Sequence, residues 1–148
     1  MNETPIILIA DDAPDMVNQL KLVLKPILNR IELLVATDGL QAIQLCEQRK
    51  PNMLLLDHGM PGIDGFTACQ VIRKIISNPD LAIWFITGLV QNEDESVAIE
   101  AGADCLITKP IDIQNLREKI IRHLKMETDD NIDLQNPTDV DDRNQTAA

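Results

Sequence analysis

Residues 53–65 read MLLLDHGMPGIDG, and no other stretch restricts the possible folds of this chain as tightly. Four consecutive apolar residues suit a buried strand and are too few for a helix, and they deliver the carboxylate of Asp57 into a loop of proline and glycine. A charge is thereby set at the rim of a core. Alone, such an Asp reads as a turn or cap residue. Three other apolar runs end in the same way: residues 6–10 run into Asp11 and Asp12, residues 81–86 into Thr87, and residues 105–108 into Lys109-Pro110. Open parallel sheets bind ligands beyond the carboxyl ends of their strands, so these four termini are expected to meet at one site.

Helical patterns alternate with the runs. Pro14 opens a helix carrying Met16, Val17, Leu20, Val23, Leu24 and Ile27, which Pro26 ends or kinks after Lys25. Residues 32–36 form a second strand, and Thr37-Asp38-Gly39 leads into a helix through Leu40, Ile43 and Leu45 that Pro51 stops. Asp64 caps a helix bearing Phe66, Cys69, Val71, Ile72, Ile75 and Ile76, closed by Asn78-Pro79. The helix over residues 93–101 has four acidic residues and an apolar face of only Val97, Ala98 and Ile99, so it is expected to be the most mobile. A last helix from about Asp112 buries Leu116, Ile120, Ile121 and Leu124. Five alternations of strand and helix predict an α/β fold, a doubly wound five-stranded parallel sheet in the flavodoxin-like order 2-1-3-4-5. Its switch point lies between the first and third strands, which makes Asp11, Asp12 and Asp57 neighbours.

At 148 residues and 45% hydrophobic content the chain suits one domain, over residues 1–125. The net charge is −11, and seven acidic residues between positions 127 and 142 face only Arg143 there. Residues 126–148 therefore read as an acidic, unstructured tail or linker. An acidic body with no basic stripe argues against direct nucleic-acid binding. Cys46, Cys69 and Cys105 are odd in number and sit inside apolar patterns, which suggests reduced core thiols in a cytoplasmic protein. No stretch approaches the length of a membrane span.

Three carboxylates a few ångströms apart repel by roughly 4 kcal/mol per close pair at an effective dielectric near 20. Cations must sit among them. Lys109 supplies one charge, and a hard divalent ion supplies two, with Mg²⁺ favoured because it accepts carboxylates, waters and a phosphate oxygen together. Asp57 is then a nucleophile able to form an aspartyl phosphate, and Thr87 and Lys109 suit the new phosphoryl oxygens. A flavin binder would need a hydroxyl- and glycine-rich first loop where Asp11-Asp12 stand. A dehalogenase-type hydrolase would carry its nucleophile in a DxD pattern after the first strand, and a nucleotidase or kinase would need a glycine-rich phosphate loop. A Mg²⁺-dependent phosphohydrolase with an aspartyl-phosphate intermediate is the alternative that survives, and a structural interaction module with a vestigial pocket is a third reading.

As a set, Asp11-Asp12, Asp57 with Met60-Pro61 and Asp64-Gly65 behind it, Thr87, and Lys109-Pro110 resemble the receiver domain of two-component response regulators, over about residues 5–125. The resemblance implies a signalling domain rather than an enzyme, one that at most catalyses its own phosphorylation and dephosphorylation. Asp57 would accept a phosphoryl group from a histidine kinase or phosphotransfer protein. Mg²⁺ would be held by Asp11, Asp12, Asp57 and the backbone carbonyl of Gly59, with Thr87 and Lys109 on the phosphoryl group. The Lys109-Pro110 bond is often cis in that family, and a downstream protein would be met through the fourth helix, fifth strand and fifth helix. Two residues depart from the pattern: Gly88 stands where the family usually has Ala, and Leu106 occupies the aromatic switch position, so Thr87 and Leu106 form the expected switch pair with its usual ring missing. His58 is expected to point away from Asp57 along an extended backbone, His123 to be a helix-end cation, and Trp84 to be core.

Overall fold

In the computed structural model, residues 4–88 and 92–126 are described, with the side chains of residues 92–94 left aside. The sequence's expected tail, from residue 127 onward, lies outside the described residues. The chain divides into two units, residues 1–111 and residues 112–148.

The first unit holds five strands, β1 (Ile6–Ala10), β2 (Glu32–Ala36), β3 (Met53–Leu56), β4 (Ala82–Thr87) and β5 (Cys105–Thr108). All pairings are parallel and the order is β2-β1-β3-β4-β5, the order anticipated from the sequence. Between them run α1 (Pro14–Leu24), α2 (Gly39–Arg49), α3 (Gly65–Ile75) and α4 (Asn92–Ala101). The step from β1 to β2 crosses the sheet in the opposite direction to the later steps, so right-handed crossovers put α1 on one face and α2, α3 and α4 on the other. On the α2–α4 face, Leu8, Ala10, Leu54, Leu56, Ile83 and Phe85 form one buried cluster with Ala42, Cys46, Cys69, Ile72, Ala98 and Ala101. The alternate positions Ile7, Ile9, Met53, Leu55, Trp84 and Ile86 point the other way and are equally buried. Trp84 is thus core, as expected.

Helix boundaries follow local chemistry. Ala13 precedes α1 without a side-chain cap, and Pro14 stands in its first turn. The α-helix ends at Leu24, with Lys25 as its C-cap just before Pro26 as expected, and the chain continues in a 3-10 turn over Lys25–Arg30. Asp38 caps α2 by accepting from the Gln41 N–H at 2.8 Å, and Asp64 caps α3 by accepting from Thr67 N–H at 2.8 Å. Lys50, with φ 49°, closes α2 in the left-handed region.

Several packing expectations need correction. The buried face of α2 is Gly39, Ala42 and Cys46, whereas Leu40 is exposed and Ile43 and Leu45 are half-buried. The start of α2 lies close against the loop between β3 and α3: a Cβ on Gly39 would run into the carbonyl oxygen of Ile63. Ile75 in α3 is exposed, and Ile76 is the residue that turns inward. That helix already ends at Ile75, ahead of Asn78-Pro79, and the Asn78 amide instead donates to the Pro51 carbonyl at 3.0 Å. β4 runs one residue later than expected, which makes Thr87 its last residue. Of the three apolar residues assigned to α4, only Ala98 is buried; Val97 and Ile99 are exposed.

In the second unit the described element is α5 (Ile113–Leu124). Asp112 caps it through an N–H from Asn115 at 3.0 Å, and Leu116, Ile120 and Ile121 are its buried positions. Leu124, expected to be buried, is half-buried, and His123 lies exposed in the last turn. No described helix is long and apolar enough to cross a membrane.

Candidate functional site

Register brings the four strand ends together. Ala10 pairs with Leu56, so Asp11 and Asp57 emerge side by side, and Thr87 pairs with Thr108, so Lys109 emerges beside it. Backbone bonds carry the ladder past the strands: Asp57 N–H donates to Ala10 O at 2.9 Å, Asp11 N–H to Ala36 O at 3.0 Å, and Lys109 N–H to Thr87 O at 2.8 Å. These bonds fix the origin of each functional side chain to within the precision of the sheet.

Asp11, Asp12 and Asp57 each place a carboxylate oxygen within 4.8 Å of the other two. Asp11 is 2% exposed and Asp57 9%, while Asp12 faces solvent. One oxygen of Asp11, Oδ1, accepts the Ala13 N–H at 2.9 Å. Its other oxygen, Oδ2, lies 4.0 Å from Lys109 Nζ, which also lies 3.5 Å from Asp57 Oδ1. Burial pushes the Asp11 carboxyl above the usual range, as do the charges of Asp57 and Asp12, against the lowering effects of the Ala13 N–H and Lys109. A second positive charge placed among these oxygens would relieve that burial of charge. The donor set is all oxygen, which fits a hard cation such as Mg²⁺ and not a soft one. Gly59 borders the cluster, since a Cβ there would lie 3.9 Å from Asp57 Oδ2.

The loop after β3 is held down at Gly65. A Cβ at that position would run into the Asp57 carbonyl oxygen and lie 2.6 Å from His58 Cα, and the Gly65 N–H donates to the His58 carbonyl at 2.9 Å. The start of α3 thus presses directly against the backbone that carries the acidic site. Lys109-Pro110 is cis, as the resemblance implied.

Thr87 is 1% exposed, and its Oγ1 lies 2.7 Å from His58 Nδ1. This corrects the expectation that His58 points away. The strand ends at Leu56 and the chain bends at His58, so strand alternation no longer governs its direction. Its ring turns back over Phe66, at a centroid distance of 5.6 Å, and Phe66 in turn stacks on Phe85 at 4.9 Å. The signal available in the sequence was the bend-forming His-Gly pair together with a ring at position 66. Leu106 pairs with Phe85 across β4 and β5 and packs, half-buried, on the α2–α4 cluster.

The response regulator receiver domain family matches residues 7–121. Among characterised relatives, the DNA-binding dual master transcriptional regulator RpaA of Synechocystis is 32% identical over 84% of this chain and 51% of its own length. The chain spans about half the length of the curated relatives it matches. A response regulator from Chloroflexus aurantiacus superposes with a TM-score of 0.74 at 29% identity, covering 83% of this chain and 99% of that one. A CheY-like receiver domain protein from Methanospirillum hungatei gives 0.73 at 26% identity over 83% and 95%.

Proposed function

This chain belongs to the response regulator receiver domain family of two-component signalling, and on that premise we propose that Asp57 is its phosphoacceptor and that Asp11, Asp12, Asp57 and the Gly59 carbonyl hold Mg²⁺. The observation that carries the reading is Lys109 Nζ 3.5 Å from Asp57 Oδ1 beside two further carboxylates. A carboxylate so placed is oriented by a cation yet keeps lone pairs for attack.

In the reaction, an Asp57 carboxylate oxygen attacks the phosphorus of a phosphohistidine on the partner kinase or phosphotransfer protein. The new P–O bond forms as the P–N bond breaks, its electron pair returning to the ring nitrogen, and the imidazole leaves neutral because its other nitrogen already carries a proton. Bound Mg²⁺ supplies positive charge against the phosphoryl oxygens. Lys109 shares that task, and the Thr87 hydroxyl donates to a phosphoryl oxygen. The domain turns over its own phosphoryl group and no other substrate. Its downstream target is a protein, for which the exposed Val97 and Ile99 of α4 supply apolar contacts, and the setting is the cytoplasm.

Intact mass after incubation with a small acyl phosphate and Mg²⁺ tests the assignment. Wild type gains one phosphoryl group and Asp57→Asn gains none; equal labelling of both overturns it. Consumption of the donor in many-fold excess would mark a phosphohydrolase instead.

A further inference from the structure

His58 stands beside the site with no task in the chemistry above. Its orientation is nonetheless built in. The ring packs over Phe66, its side chain is only 23% exposed, and its backbone is pinned at Gly65. Its Nδ1 faces two oxygens, Thr87 Oγ1 at 2.7 Å and Asp57 Oδ1 at 4.0 Å.

Which partner donates across the 2.7 Å contact depends on the ring's tautomer, and the nearby Asp57 carboxylate favours the one with its proton on Nδ1. A ring nitrogen that turns its lone pair toward a carboxylate is repelled, while one that turns an N–H toward it is attracted. That tautomer donates from Nδ1 to Thr87 Oγ1. The threonine hydroxyl then accepts through a lone pair.

We propose that His58 is a positioning residue for Thr87, fixing the hydroxyl so that its proton is directed at a phosphoryl oxygen on Asp57. Favouring one of a hydroxyl's three staggered positions contributes at most about threefold in affinity. The bond from Nδ1–H also polarises the O–H that donates onward. Together these predict that loss of the imidazole N–H weakens phosphoryl binding about three- to tenfold.

The proposal rests on Asp57 being the phosphoacceptor, and the test separates the two. Calorimetric titration of the full chain with beryllofluoride and Mg²⁺ compares wild type with His58→Phe, which keeps the ring over Phe66 and removes the N–H, and with His58→Leu as a second removal. His58→Asn returns an N–H close to the Nδ1 position and should recover most of the affinity. In a Thr87→Ala background, His58→Phe should have no further effect. Beryllofluoride binding equally to wild type and Asp57→Asn, or to neither, overturns the phosphoacceptor reading and this proposal with it. Wild-type binding with His58→Phe equal or tighter, or a His58→Phe effect that persists without the Thr87 hydroxyl, overturns the role of His58 alone.

Discussion

Lys109 Nζ lies 3.5 Å from Asp57 Oδ1 and reaches Asp11 Oδ2 at 4.0 Å, so one ammonium group is shared by two buried carboxylates. A full pair at that range is worth roughly 4 kcal/mol at an effective dielectric of 20, and the 29% exposure of the lysine side chain reduces this to about 1–2 kcal/mol. Lys109→Met should therefore deepen the negative potential and tighten Mg²⁺ binding by about tenfold. Beryllofluoride binding should weaken, because the phosphoryl mimic loses a cation. Parallel titrations check both. If both affinities fall, Lys109 is holding the loop in shape rather than competing with the metal.

Asp11 carries a buried charge that the protein holds at a cost. Its carboxyl is raised above the ordinary value of 3.8, first by burial, so the folded chain binds this proton more tightly than the unfolded chain. Stability then falls as pH rises from 3.8 through the raised value, and the whole penalty is present above it. Asp11→Asn removes the charge and keeps an oxygen for the Ala13 N–H. In chelator at neutral pH it should melt higher than wild type by several degrees, at roughly 2–8 °C per kcal/mol. Mg²⁺ should raise the wild-type melting point and leave the variant's nearly still. A variant that melts lower would make the Asp11 charge stabilising.

Arg73 commits its guanidinium to three acceptors in two separate segments. Nε donates to Gly102 O, Nη1 to Leu81 O and Nη2 to Asp104 Oδ2, each at 2.9 Å, and Asp104 Oδ2 also accepts the Ile83 N–H at 2.9 Å. This ties α3 to the start of β4 and to the turn between α4 and β5. Arg73→Ala should cost about 2–4 kcal/mol in urea unfolding, since partly buried carbonyls lose their donors. Arg73→Lys should recover little, because a single ammonium cannot reach three acceptors in the geometry of the fork. Full recovery by lysine would reduce the contact to simple charge.

What could be read from the sequence was what depends on short spans of chain. Each of the four apolar runs ends at a chemically distinct residue, and parallel topology alone is enough to gather Asp11, Asp57, Thr87 and Lys109 on one edge. His58 was misread because its direction is set after the strand ends, by a bend and by a glycine seven residues away. The buried face of α2 differs from the expected one for another reason: it is made of the small residues Gly39, Ala42 and Cys46, with Gly39 pressed against Ile63 of the loop after β3, whereas apolar periodicity gives more weight to the larger Leu40. The partners of Arg73 lie up to 31 positions distant, beyond anything a local pattern carries.

Cys46 and Cys69 lie in the same buried cluster under α2 and α3. Burial raises the Cys46 thiol to about 12 and the Cys69 thiol to about 11. Both are therefore protonated and shielded at neutral pH, and iodoacetamide should modify them only as fast as the protein opens, after the half-buried Cys105. The same shifts act on stability. An unfolded thiol ionises near 9 while the folded thiols stay protonated to about 12 and about 11, so the folded state binds more protons in this window and stability must fall as pH rises above 9. The slope is at most about 1.4 kcal/mol per pH unit for each thiol. The chain has no tyrosine to titrate in the same range. Urea unfolding at intervals from pH 8 to pH 10.5 should show this decline in wild type and a flatter one in the Cys46→Ala, Cys69→Ala double variant. Identical slopes in the two proteins would mean that water reaches both sulfurs in the folded state.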